Sequence, residues 1–129
     1  MSSEIIQISP GLLALIQGKS QALMPFVREL IMLECHIAGT SHLNLEETEP
    51  TLKPGDRFIL KREPENQFDH FATAIYTADK IKLGYLPMHI NESTARLLDA
   101  GKQLFGALET KEWKGQWLKL NIKVYLIDR

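Results

Sequence analysis

The chain has one cysteine, Cys35, in 129 residues. One thiol makes no intramolecular disulfide and no multi-cysteine zinc site. Cys35 lies in the apolar alternation Ile31, Leu33, Cys35, Ile37, which favours a buried thiol over a reactive one. No apolar run approaches the ~18 residues a membrane-spanning helix needs. Met1 to Pro10 carries no base and no long apolar run, so neither a membrane anchor nor a signal peptide is expected and the compartment expected is the cytoplasm. The glycines form neither a GxGxxG nor a Walker loop. His36, His42, His70 and His89 are scattered, with no pair four residues apart, so no metal or other cofactor is expected. Cys35 and His36 are neighbours on a strand and point to opposite faces, which rules them out as a nucleophile pair. Glu63, Glu65 and Asp69 sit in a loop, where carboxylates are more often turn formers than acid-base pairs. The chain is therefore expected not to be an enzyme.

Large charge of one sign is also missing. The net charge of -1 argues against a protein that coats a long polyanion. The charge is unevenly placed, however. Residues 1–49 hold two bases against six acids, and residues 50–129 hold 13 bases against 10 acids. The second part can present a modest basic face suited to a few phosphates.

What is present suits one globular domain: 14.7 kDa, 44% hydrophobic and 24% charged. Ser9-Pro10 reads as a helix start, with Ser as N-cap and Pro at the first helical position. Leu12, Leu13, Ile16 and Leu23 follow at helical spacing, and Pro25 ends or kinks the helix. This N-terminal extension, residues 1–30, either packs across the rest or meets a second protein. From Ile31 the period changes to two. Ile31, Leu33, Cys35 and Ile37 are expected on one face, with Met32, Glu34 and His36 on the other. Strands are expected at Arg57–Arg62, Phe71–Tyr76, Ile81–Leu86, Gln103–Glu112 and Trp117–Ile127. A helix is expected at Asn91–Ala100, with Asn91 as cap and Gly101 at C′. Trp113 and Trp117 flank the turn at Lys114-Gly115; such a pair more often packs across the hairpin than binds a strand. The fold class is mainly β: a small six-stranded barrel of OB or SH3 type over residues 31–129, with an inserted helix and the extra N-terminal helix.

The loop between the second and third strands concentrates chemistry. Pro64, Asn66, Phe68 and Asp69 fall within six residues. Asn66 and Asp69 either bond a polar ligand or cap the turn. Phe68 either packs in the core or offers a flat face for a base, worth ~1–3 kcal/mol when stacked.

The run Leu60-x-Arg62-Glu63-Pro64-x-Asn66-x-Phe68-Asp69-x-x-Ala72, then Leu83-Gly84-Tyr85-Leu86-Pro87, then Ala95-x-Leu97-Leu98-Asp99-Ala100-Gly101, resembles the HIRAN domain. The likeness covers about residues 31–128 in order and spacing. That family occurs attached to eukaryotic fork-remodelling ATPases and, alone or fused, in bacteria and phages. The resemblance implies a β-barrel that captures single-stranded DNA at a free 3′ end, in repair or fork processing, without catalysis of its own. Carried over by position, Asp69 accepts the 3′ hydroxyl, Asn66 bonds the terminal nucleotide or orders the loop, and Phe68 walls the pocket. Tyr85 stands near a phosphate or base, and Lys61, Arg62, Lys82 or His89 meets phosphates. One step departs from the DNA-binding relatives. Where they carry Arg-aromatic-aromatic after the first strand, this chain has Thr40-Ser41-His42, of which His42 alone can stack. The alternative expectation is a protein-interaction or homo-oligomerisation module whose DNA site has decayed, acting through the N-terminal helix.

Overall fold

The computed structural model describes residues 28–128. The helix expected between Pro10 and Pro25 lies outside the described residues. Six strands and one α-helix follow in order: β1 (Arg28–His36), β2 (Arg57–Arg62), β3 (Thr73–Tyr76), β4 (Lys82–Tyr85), α1 (Glu92–Asp99), β5 (Leu104–Lys114) and β6 (Trp117–Asp128). Single 3-10 turns occur at Thr40–His42, Glu49–Thr51 and Met88–Ile90. No helix of the described residues is long and apolar enough to cross a membrane.

All neighbouring strands are antiparallel, in the order β1-β6-β5-β2-β3-β4. The sheet curls into a half-barrel whose two edge strands meet at one point. Just past β1, the N–H of Ala38 donates to the carbonyl of Tyr85 at 2.8 Å, and the N–H of Tyr85 returns the bond at 2.9 Å. Gly84 permits this approach. Its φ is +145°, and a Cβ there would lie 2.3 Å from the carbonyl oxygen of Ala38.

Period-two patterning builds the core. In β6, Leu118, Leu120, Ile122 and Val124 are all at most 2% exposed. They meet Phe58 and Leu60 from β2, Ile75 from β3 and Leu83 from β4. Each such side chain contributes about 1.5–3 kcal/mol on burial. β1 departs from the expected alternation. Ile31 faces Tyr125 and Leu33 faces Val124, so Met32 is an extra, bulged residue. The bulge shifts the face by one position. Leu33, Cys35 and Ile37 pack inward as expected, but Ile31 turns outward and is 53% exposed.

α1 lays Ala95, Leu97 and Leu98 toward the core. It ends as expected at Gly101, whose φ is +87°. The N–H of Lys102 bonds the carbonyl of Leu97 and that of Gly101 bonds Leu98, a Schellman closure. At the other end Asn91 makes no side-chain cap; its amide has a different use, described below. The hairpin tryptophans do not pack together. Trp113 pairs with Leu118 and Trp117 with Lys114, which puts the two indoles on opposite faces. Trp113 donates its Nε1–H to Glu49 at 3.3 Å, and Trp117 meets His36 edge-on with ring centroids 5.9 Å apart.

Candidate nucleic-acid interface

The candidate interface begins with the turn that leaves β2. The Oδ1 of Asn66 accepts the backbone N–H groups of Phe68, at 2.8 Å, and Asp69, at 3.1 Å. This is an Asx turn, and its geometry throws the intervening side chains outward. Phe68 is 88% exposed, which excludes the core alternative for its ring. Asp69 is itself a turn former. Its Oδ1 accepts the N–H of Phe71 at 2.9 Å, and its Oδ2 accepts the Nδ2–H of Asn91 at 2.7 Å. Asn91 is 1% exposed, so this donor reaches the turn from the interior. Each carboxylate oxygen accepts two hydrogen bonds when ionised. One N–H on each therefore leaves capacity for a further donor, such as a hydroxyl.

Glu63 ties the turn to β4. Its Oε1 accepts the Nδ2–H of Asn66 at 3.2 Å and the hydroxyl of Tyr85 at 2.8 Å. Lys82 donates to Oε2 of Glu63 at 3.3 Å and to the Tyr85 oxygen at 2.7 Å. Its ammonium also lies 4.4 Å from the centre of the Tyr85 ring. Partial burial pushes the Glu63 carboxyl up. The hydrogen bonds from Tyr85, Asn66 and Lys82 and the ammonium's charge outweigh it, holding the group below the ordinary carboxylate range. Lys82 is raised above the usual lysine value, by its bond to Tyr85 first and by Glu63, against desolvation. Asn66, Tyr85 and Lys82, read separately from the sequence, thus share one carboxylate.

Arg62 braces the same turn from below. Its Nε and one terminal nitrogen bond Asp99 of α1, at 2.9 and 3.3 Å. Its terminal nitrogens also donate to the carbonyls of Ala72, at 2.6 Å, and His70, at 3.2 Å. Four of its five N–H donors are engaged, and the side chain is 11% exposed. Lys61, one residue earlier, is exposed, opposite Ala74 in the register.

His42 ends the 3-10 turn that packs against β6, and no hydrogen bond or ring contact of the described residues joins it to the Asn66–Asp69 turn. Thr40 is buried at 2% and donates its hydroxyl to the carbonyl of Leu118 at 2.7 Å. Ser41 and His42 are exposed. Thr40 and Ser41 open onto a groove of about 580 Å³ walled by Leu43, Asn44, Trp113 and Gln116. Beside Trp113, Glu49 is held below the ordinary carboxylate range by hydrogen bonds from Lys111 and Trp113. Burial pushes the Cys35 thiol up to about 11, so it stays protonated at neutral pH.

Three residues not singled out as site residues hold the interface together: Glu63, Asn91 and Asp99. Glu63 falls inside the recognised run, and its spacing of three from Asn66 was the available signal. Asn91 carried none, because capping alone accounted for it.

Comparison with known proteins places the chain. The model of the HIRAN domain matches residues 30–127. A crystal structure of a protein from Lactobacillus plantarum is similar, with a TM-score of 0.72 at 25% identity, covering 81% of this chain and 100% of that one. The crystal structure of the HIRAN domain of human HLTF is similar in fold, with a TM-score of 0.62 at 15% identity over 78% of this chain and 80% of that one. No curated protein matches by sequence. The chain belongs to the HIRAN domain family.

Proposed function

We propose that this protein is a non-catalytic module that binds single-stranded DNA at a free 3′ end, in the service of repair or fork processing. Membership of a family of DNA-binding modules supports nucleic-acid binding in general. One observation carries the finer reading: a ring that is 88% exposed stands next to a carboxylate held by two N–H donors with acceptor capacity left over. A 3′-terminal nucleotide offers the matching pair, a flat base and a hydroxyl donor. In this reading Phe68 stacks the terminal base and Asp69 accepts the 3′ hydroxyl. Asn66 sets the distance between them. In this reading Lys61 and Lys82 meet phosphates and Tyr85 a phosphate or base, His42 is left to stack weakly away from the turn, and Arg62 braces the turn.

The test compares labelled oligonucleotides that differ only at the 3′ end, by fluorescence anisotropy at low and moderate salt. A 3′ phosphate brings a second anion to Asp69 and is expected to bind about tenfold more weakly than the free hydroxyl, close to 1.4 kcal/mol. Asp69→Ala is expected to cost about 1–3 kcal/mol of affinity for the hydroxyl end. Equal affinity for the two ends, or no binding even at low salt, refutes this reading.

A second reading, a protein-interaction module with a decayed DNA site, draws on Thr40. Its hydroxyl is committed to Leu118 inside the fold, so the Thr40–His42 step offers little stacking surface. Absence of DNA binding together with a mass that rises with concentration in light scattering would favour it.

A further inference from the structure

The groove beside Trp113 takes no part in the site around Asn66 and Asp69. Trp113 stands opposite Leu118 in the register, so its indole shares the inner face of the sheet with that core residue. It is nevertheless 41% exposed, because it lies near the tip of the β5–β6 hairpin. Its Nε1–H donates to Glu49 at 3.3 Å, and Glu49 is held in turn by Lys111 at 2.6 Å. The polar edge of the ring is thus satisfied within the fold, and what remains to offer a ligand is the flat face. The segment after β1 supplies the rest of the lining, fixed to β6 by the bond from Thr40 to the carbonyl of Leu118. The space of about 580 Å³ is within the range of small-ligand sites. Ser41 brings a hydroxyl to it, Asn44 and Gln116 bring amides, and Glu46 brings a carboxylate. No lysine or arginine lines it among the described residues.

We propose that this groove is a second nucleobase subsite, which takes a base 5′ to the terminal nucleotide, with Trp113 as its stacking face. The inference rests on the reading above that single-stranded DNA is the ligand. The charge of the lining selects a base over a phosphate. Phosphate contacts come largely from cations and neutral donors, whereas this groove has no cation of its own and holds the carboxylate of Glu46. A base is flat and uncharged, and its edge carries both donors and acceptors. A side-chain amide offers both in return, which suits Asn44 and Gln116 to that edge. The groove is also joined to the Asn66–Asp69 turn by bonded residues. Glu63 bonds both Asn66 and the Tyr85 hydroxyl, Tyr85 exchanges backbone bonds with Ala38, and Thr40 follows two residues on. A strand lying along these residues from the turn brings its inner bases to Trp113.

Fluorescence anisotropy on the full chain tests the subsite, with single strands in which one abasic residue is moved stepwise from the 3′ end. One internal abasic position is expected to weaken binding about tenfold, and Trp113→Ala to weaken binding of the intact strand by about as much. In Trp113→Ala the same abasic position is expected to cost nothing further, because both changes remove one interaction. Trp113→Phe keeps a flat face and gives up the bond to Glu49. It is expected to bind within about threefold of the unaltered chain and to restore the abasic penalty. Equal losses in the Ala and Phe variants overturn the subsite, since the loss then belongs to the hairpin's packing. Full affinity in Trp113→Ala overturns it too, as does an abasic penalty that persists there undiminished. In those cases continued preference for a 3′ hydroxyl over a 3′ phosphate leaves the end-binding reading standing. The expected coupling to Trp113 with equal affinity for the two ends supports the subsite and refutes end recognition alone. No binding by the unaltered chain at low salt overturns both.

Discussion

Phe68 and Asn91 show how one turn divides its labour between an exposed and a buried side chain. Phe68 touches solvent over most of its surface, so Phe68→Ala is expected to change stability by no more than about 0.5 kcal/mol. It should still weaken oligonucleotide binding by about 1–3 kcal/mol. Asn91→Ala reverses the pattern. It removes a buried donor from Asp69 and is expected to destabilise the fold by about 1–3 kcal/mol. Urea unfolding and anisotropy on both variants check the contrast, and equal losses in both assays for Phe68→Ala would return its ring to a structural role. The difference was half legible beforehand. An aromatic in a polar loop invites both a core and a surface reading, and the Asx turn at Asn66 decides between them. The sequence offers only a cap for Asn91, because a residue before a helix has a local explanation ready, whereas its partner Asp69 lies 22 residues away in sequence. The buried thiol expected at Cys35 holds in part: it packs inward with Leu33 and Ile37 but is only half-buried, and the third neighbour at period two, Ile31, points the other way.

At the scale of elements, the segment after β2 is fastened to β4 through Glu63 and to α1 through Arg62 and Asp99. The Glu63 fastening makes a pH prediction. Its folded carboxyl lies below its unfolded value of about 4.3, so its stabilisation is fully present above that pH and is lost as pH falls through the folded value. Lys82 behaves in the opposite sense. Its contribution is present below the unfolded value of about 10.4 and is lost as pH rises through the higher folded one. Glu63→Gln is therefore expected to flatten the acid limb of stability below about pH 5, measured as urea midpoints across a pH series. Some acid dependence should remain, because Glu49 is also held low. An unchanged acid limb would show that the cluster does not couple to folding. Strand positions were legible from alternation, above all in β6. Boundaries were less so: β3 begins at Thr73, two residues later than expected, because Asp69 and Phe71 still belong to the turn. The bulge at Met32 left no mark in the apolar pattern, since Ile31 and Leu33 are both apolar and either could point inward.

At the scale of the molecule, the half-barrel depends on contacts between its ends. Gly84→Ala puts a methyl against the carbonyl of Ala38 and against Ile37. It is expected to separate β4 from the segment after β1 and to destabilise the protein by at least about 2 kcal/mol. Hydrogen exchange at Ala38 and Tyr85 should rise more than exchange in β5, and parallel increases everywhere would mean that the bridge has no separate role. The strand order itself was not readable from the chain. Six short antiparallel strands were legible from alternation and length, but the barrel expected from them is a half-barrel, and the pairing of the first described strand with the last has no local signal.

That pairing also says how the domain would respond to force. Arg28 and Asp128 are register partners, joined by a 2.6 Å ion pair, so the chain enters and leaves at one corner. A pull applied to those two points loads the β1–β6 ladder one rung at a time instead of shearing it as a whole. Such a domain unzips at low tension from that corner. Spliced into a loop of a larger protein, it needs an opening only about as wide as the spacing of two strands, ~5 Å.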